Sequence, residues 1–184
     1  MAEERNGAGT PPEHAVDFWS FVELAGHRLS EEFGFPHREA TRTLLTLNRA
    51  SMIVTYDLEA AVHRPRGLSW AGFRLLFVTW LAGPLESRRA AALAGMSRAA
   101  VSNLAKSLVA DGLLERSPGE NDGRSVLLSL SEHGRATMLE VFRAQNEREH
   151  QWTEVLTETE QEILVMLLGK LIAHRDQFDV RERR

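Results

Sequence analysis

The sequence predicts a mainly α-helical fold with a small β-wing. Residues 86–130 show the order helix, short turn, helix and two β-type runs, which is the order of a winged helix-turn-helix. Long helical patterns lie on both sides, over residues 41–66 and 131–178, and their apolar positions have no partner within the winged segment. We therefore expect N-terminal and C-terminal dimerisation helices around a winged helix-turn-helix at residues 68–130.

The N-terminal segment divides into two parts. Residues 1–14 are polar and contain two prolines, which predicts a disordered tail. Residues 15–36 predict an extra amphipathic helix that carries Trp19 and ends near Gly34. After the first long helix, Pro65 and Gly67 break the pattern. Ser69 then begins a helix that is apolar nearly all round, so we expect it to be buried on most sides.

The helix that follows Ser97 has two different faces. Ser97 is a good N-cap and Gly112 can close the helix in the left-handed conformation. One face is apolar, with Val101, Leu104, Ala105, Leu108 and Val109. The remaining positions hold short hydrogen-bond donors or long cations, side chains that reach base edges and phosphates: Arg98, Ser102, Asn103 and Lys106. Taken alone, the same pattern also fits an ordinary amphipathic helix with a solvated polar face.

Two β-type runs, at residues 113–116 and 125–130, predict a hairpin with a long exposed tip over residues 117–124. Arg124 lies near that tip, where an arginine can enter a narrow minor groove. Asp122, two residues earlier, could orient Arg124 or pair with another cation. The alternative is a solvated turn of ordinary turn residues.

The last segment predicts two helices. Ser131 begins a long, charged helix, and Thr157 with Glu160 forms a capping box at the start of the next. That last helix carries a broad apolar band: Ile163, Leu164, Met166, Leu167, Leu168, Leu171 and Ile172. The band suits a two-fold dimer interface, and a monomeric helical core is the alternative.

Residues 96–134 resemble the core of the MarR family of bacterial transcriptional regulators. The matching positions are Ser97, Val101, Ser102, Leu108, Asp111, Gly112, Leu113, Arg116, Asp122, Arg124, Leu130, Ser131 and Gly134. The resemblance implies a homodimeric repressor that binds double-stranded DNA at a palindromic operator and responds to a small molecule. We predict DNA contacts from Arg88, Ser97, Arg98, Ala99, Ser102, Asn103, Lys106, Asp122 and Arg124.

A small aromatic or anionic ligand is predicted where the first long helix, the helix after Ser69 and the helix after Ser131 meet. The candidate contacts are Trp19, His63, Trp70, Phe73, Arg74 and Phe77. Phe73 and Phe77 are also explained as plain core residues. Arg74 suits a carboxylate ligand, and pairing with Asp57 or Glu59 is the alternative.

Composition excludes several classes of protein. The 184 residues contain no cysteine, so disulfides, thiolate metal sites and thiol redox sensors are excluded. No secretory signal and no membrane span are apparent, so we expect a soluble, cytoplasmic protein. The net charge is −4, yet residues 86–124 hold six basic and five acidic residues, so this segment is more positive than the rest. No catalytic residues, metal site or cofactor are predicted. Beside the repressor, a winged-helix protein-interaction module and a hydrolase or metal enzyme stay open as hypotheses.

Overall fold

A computed structural model of the chain describes residues 17–119 and 126–178. It confirms the predicted fold class, with seven α-helices and one small antiparallel sheet in the described residues. The predicted tail at residues 1–14 lies outside them. The chain divides into two compact units, residues 1–53 and 54–184.

The first unit contains α1 (Phe18–His27) and most of α2 (Arg38–Leu58). The side chain of Asp17 caps α1 by accepting a hydrogen bond from the amide of Ser20 at 2.8 Å. A π-helical turn at Arg28–Glu32 follows α1, and α2 begins three residues before the predicted start at residue 41. Within the unit, Arg38 of α2 contacts Glu23 of α1 at 2.7 Å.

The second unit begins with the end of α2. The chain leaves α2 through a π-helical turn at Glu59–His63 and a 3-10 turn at Arg64–Arg66, and Gly67 adopts a left-handed φ of 73°. The predicted break at Pro65 and Gly67 is therefore confirmed. Next comes α3 (Trp70–Ala82), which is capped by Ser69 and largely buried, as expected from its apolar sequence.

The winged part consists of β1 (Leu85–Glu86), α4 (Ser87–Ala94), α5 (Arg98–Ala110), β2 (Leu114–Pro118) and β3 (Val126–Leu130). The sheet has the order β1-β3-β2 with antiparallel pairing. The two-stranded hairpin of the prediction is incomplete, because β1 is a third strand that the sequence pattern did not reveal. The predicted turn is also too long, since Ser117 and Pro118 pair with Leu127 and Val126 as part of β2.

The chain ends in α6 (Glu132–Thr153), α7 (Glu158–Ala173) and a 3-10 turn at His174–Phe178. Ser131 caps α6, and the predicted capping box of Thr157 and Glu160 is present at α7. Gly134 allows α6 to approach the backbone of Leu113, the residue before β2, because a Cβ there would overlap the carbonyl oxygen of Leu113. Among the described residues no helix is long and apolar enough to cross a membrane.

The hydrophobic core of the second unit lies where α3, α5, α6 and the sheet meet. Its fully buried side chains include Leu75, Leu76, Val101, Leu114, Leu128, Met138 and Val141. By contrast, none of the residues of α7 is buried.

Candidate nucleic-acid interface

A tight turn joins α4 to α5. Gly95 takes a left-handed φ of 61°, and the amides of Gly95 and Met96 donate to the carbonyl oxygens of Ala92 and Ala91 at 3.3 and 2.9 Å. The hydroxyl of Ser97 then accepts a hydrogen bond from the amide of Ala100 at 3.1 Å, which caps α5 as predicted. These bonds hold the two helices in a defined helix-turn-helix.

The two predicted faces of α5 are present. Val101, Ala105 and Leu108 are buried against the core, with Leu104 and Val109 partly buried beside them. On the solvent side the structure brings together five of the side chains predicted to contact DNA: Arg98, Ala99, Ser102, Asn103 and Lys106. Ser97, also on that prediction, is half-buried, and its oxygen already accepts the capping bond.

Exposed cations lie at the amino ends of both helices. Arg88 and Arg89 occupy the first turn of α4, Arg98 begins α5, and neither helix has an acidic residue in its first turn. Cations there oppose the helix dipole and cost a little stability, whereas a bound anion would be favoured. The two helix ends therefore present donors and positive charge that suit phosphate groups.

The last pair of β2 and β3 in the described residues is Pro118 with Val126. Asp122 and Arg124, the predicted wing contacts, lie outside the described residues. The base of the wing is held to α6, since the Ser131 hydroxyl donates to the carbonyl oxygen of Gly112 at 2.6 Å. Arg89 and Arg116 are two further exposed cations of the winged part. They were not among the predicted DNA contacts, although their positive charge could have suggested them as candidates.

Comparison with known proteins shows the family. A family model described as "MarR family" matches residues 66–125. The uncharacterized HTH-type transcriptional regulator YwaE of Bacillus subtilis (strain 168) is 31% identical over 133 residues, which cover 72% of this chain and 78% of the relative. The chain belongs to the MarR family.

One further curated protein and one solved structure are similar to this MarR-family chain. The transcriptional repressor MprA of Escherichia coli (strain K12) is 26% identical over 165 residues, which cover 88% of this chain and 92% of the relative. The crystal structure of a MarR mutant from E. coli in complex with operator DNA has a TM-score of 0.61 at 23% identity, over 70% of this chain and 95% of that one, and so shares the fold. The MarR-family protein is thus a DNA-binding transcriptional regulator and not an enzyme.

Four of the residues predicted to bind a ligand in this MarR-family protein lie together in an aromatic cluster. His63 stacks on Phe73 with 4.4 Å between ring centroids and on Trp70 at 5.5 Å, and Phe73 stacks on Phe77 at 5.6 Å. Phe142 of α6 continues the stack at 5.3 Å from Phe77. Trp19, the predicted lid, is an exposed residue of α1 in the first unit.

His63 is fully buried in this cluster. Its Nε2 lies 2.7 Å from Oε1 of Gln145, whose amide nitrogen donates to Glu149 at 2.7 Å. Nε2 therefore carries the proton, because it faces an acceptor, and within the part of the chain that the structure describes the buried Nδ1 has no hydrogen-bond partner. Burial lowers the pKa of His63, and the hydrogen bond to Gln145 opposes this shift in part. Burial consequently favours the neutral imidazole.

Arg74 does not join the aromatic cluster. Its Nη2 donates to the carbonyl oxygen of Ala94, at the carboxyl end of α4. The alternative pairing with Asp57 or Glu59 is wrong. Asp57 accepts two hydrogen bonds from Arg148 and one from Trp152, each at 2.7 Å, and Glu59 lies 3.8 Å from Arg64. The bonds from Arg148 and Trp152 lower the pKa of Asp57 from 3.8 to about 2.

Proposed function

We propose that the protein is a repressor that binds a palindromic operator as a homodimer and releases it when a small molecule binds. The observation that carries the proposal is the exposed face of α5, which presents Ser102, Asn103 and Lys106 beside Arg98. An amide can read adenine in the major groove by two hydrogen bonds, and the cations suit phosphates. Since the proposed target is genomic DNA, the proposed place of action is the cytoplasm.

The homodimer is supported by the apolar surface of α7. Ile163, Leu164, Met166, Leu167 and Leu171 are each about half exposed in the single chain, and no residue of the helix is buried. Several exposed apolar side chains on one helix are typical of an interface. A second copy fits it best, because a two-fold dimer places two α5 helices for two half-sites of a palindrome.

The proposed ligand site is the junction of the end of α2 with α3 and α6, where the aromatic cluster lies. Trp70 and Phe77 are partly exposed at its margin, so they can contact an aromatic ring without opening the buried His63–Phe73 pair. A ligand that separates α3 from α6 there can change the spacing of the two α5 helices and so couple to DNA. An aromatic acid is the proposed ligand class.

The test is operator binding measured by fluorescence anisotropy, with a labelled duplex from the gene's own upstream region and a scrambled duplex as reference. The wild type should prefer the operator. Asn103→Ala should lose about 1–3 kcal/mol of discrimination at one base pair. Lys106→Met should weaken binding to both duplexes alike and lower the salt slope by about one.

Arg143→Met is the matched control, because Arg143 is an exposed cation on α6 and its loss changes the net charge equally. It should bind as the wild type does. A wild-type protein that binds the operator and the scrambled duplex equally would contradict the proposal. For the ligand, aromatic acids that release the wild type from operator should act more weakly on Trp70→Leu. Equal release from both proteins would place the ligand elsewhere.

A further inference from the structure

Arg74 is the single charged residue of α3, a helix whose other residues are apolar or small apart from Thr79. Its side chain is half-buried, and a guanidinium in such surroundings needs hydrogen-bond acceptors. The acceptor in this chain is the backbone carbonyl oxygen of Ala94, the last residue of α4. Arg74 therefore joins a helix of the core to the helix that precedes α5.

The carboxyl end of α4 offers carbonyl groups that the helix itself cannot satisfy. The amides of Met96 and Gly95 donate hydrogen bonds to the carbonyl oxygens of Ala91 and Ala92. Arg74 donates a hydrogen bond to the carbonyl oxygen of Ala94, and its positive charge also complements the negative end of the α4 dipole. The side chain thus completes the cap that begins the turn.

Gly95 makes room for this contact. A Cβ at Gly95 would lie 3.0 Å from Nη2 of Arg74, tighter than nine in ten real Cβ contacts, and the φ of 61° already favours glycine. The guanidinium lies directly against the turn, and only Met96 and the cap Ser97 separate Gly95 from the first residue of α5. A contact that holds Ala94 therefore acts close to the start of α5.

We propose that Arg74 is a positioning residue for DNA recognition, which fixes the direction of α5 by holding the end of α4 and touches no DNA itself. This inference rests on the operator binding proposed above. The charge of Arg74 would also allow two other roles, a contact to DNA phosphate and an anchor for an anionic ligand. The proposal excludes both.

Arg74→Met and Arg74→Lys test the proposal, with Arg143→Met as the control that removes an equal charge. Methionine keeps much of the length but cannot donate, whereas a lysine ammonium can still reach a carbonyl oxygen. Well below the melting temperature, Arg74→Met should lose about tenfold in operator affinity, the size expected for one charged hydrogen bond. Its affinity for the scrambled duplex and its salt slope should not change. Arg74→Lys should recover operator affinity to within about threefold of wild type.

Hydrogen exchange provides a readout that needs no DNA. The amides of Gly95 and Met96 should exchange faster in Arg74→Met, while those in the middle of α6 keep their protection. If the wild type binds no operator but these amides still respond, the proposed function fails and the contact of Arg74 with the turn stands. If the wild type binds and Arg74→Met binds equally well, the positioning role is overturned.

Three other results would also overturn the positioning role of Arg74. A lower salt slope with equal loss on both duplexes would make Arg74 a phosphate contact. Unchanged operator affinity together with loss of ligand response would make it a ligand anchor. A fall in melting temperature alone, with operator affinity intact, would reduce the contact to a structural one.

Discussion

Replacing Asp57 by asparagine tests the hydrogen bonds that connect the end of α2 to α6. Asp57 accepts three hydrogen bonds of 2.7 Å, from Nε and Nη2 of Arg148 and from Nε1 of Trp152. Asparagine keeps the shape, but its amide NH₂ must face a donor, and the charge is lost. The change therefore removes charged hydrogen bonds while the apolar packing stays in place.

The expected cost follows from the lowered pKa of Asp57, reduced for the solvent exposure of the pair. A pKa lowered from 3.8 to about 2 corresponds to roughly 2.4 kcal/mol if it is fully realised. Solvent weakens the pair, because the side chain of Arg148 is 40% exposed and that of Asp57 is 22% exposed. We expect Asp57→Asn to lower the free energy of unfolding by about 1–2 kcal/mol at neutral pH. The native pKa is the lower one, so this contribution is present above pH 3.8 and is lost as the pH falls towards 2.

Urea unfolding at fixed protein concentration measures the change, as a shift of the midpoint at constant slope. Glu140→Gln is the matched control, because its ion pair with Arg66 at 3.2 Å involves a carboxylate that is 73% exposed and should cost less than about 0.5 kcal/mol. Arg148→Met completes a double-mutant cycle, and the coupling with Asp57→Asn should be about 1 kcal/mol. The reasoning is refuted if Asp57→Asn costs no more than the control or if the coupling is zero.

Two further predictions concern the buried histidine and the apolar helix. Because burial lowers the native pKa of His63, the native state binds fewer protons there than the unfolded chain, so stability should fall as the pH drops below about 6.5. Glu59, Glu149 and Arg66 also act on this pKa, and urea unfolding of His63→Phe should show a weaker dependence between pH 5 and 7.5; an unchanged dependence would contradict the assignment to His63. Leu164→Glu with Leu167→Glu should convert the proposed dimer into monomers in sedimentation velocity, whereas Glu162→Gln on the same helix should not. A dimer that survives the double substitution would place the interface elsewhere.

The exposed face of α5 could be predicted from the sequence because the forces that shape it are local. Ser97 caps the helix through an amide three residues away, Gly112 supplies the left-handed residue after it, and Val101, Ala105 and Leu108 repeat at helical spacing. Once the buried face is known, the exposed set follows from the helical period. Three of the four aromatic residues of α3, Trp70, Phe73 and Phe77, were grouped for the same reason.

The partners of charged and polar side chains were decided only by the tertiary structure. Arg74 meets a carbonyl group 20 residues away, Arg148 meets a carboxylate 91 residues away, and His63 meets Gln145 across 82 residues. Likewise β1 is only two residues long and exists as a strand because β3 lies beside it. The sequence by itself determined where helices begin, end and present their apolar faces, since those depend on neighbours within a turn or two. The partners of Arg74, Asp57 and His63 depend on which elements pack together. Burial of the whole core determines that packing, so no single stretch of the sequence predicts these partners.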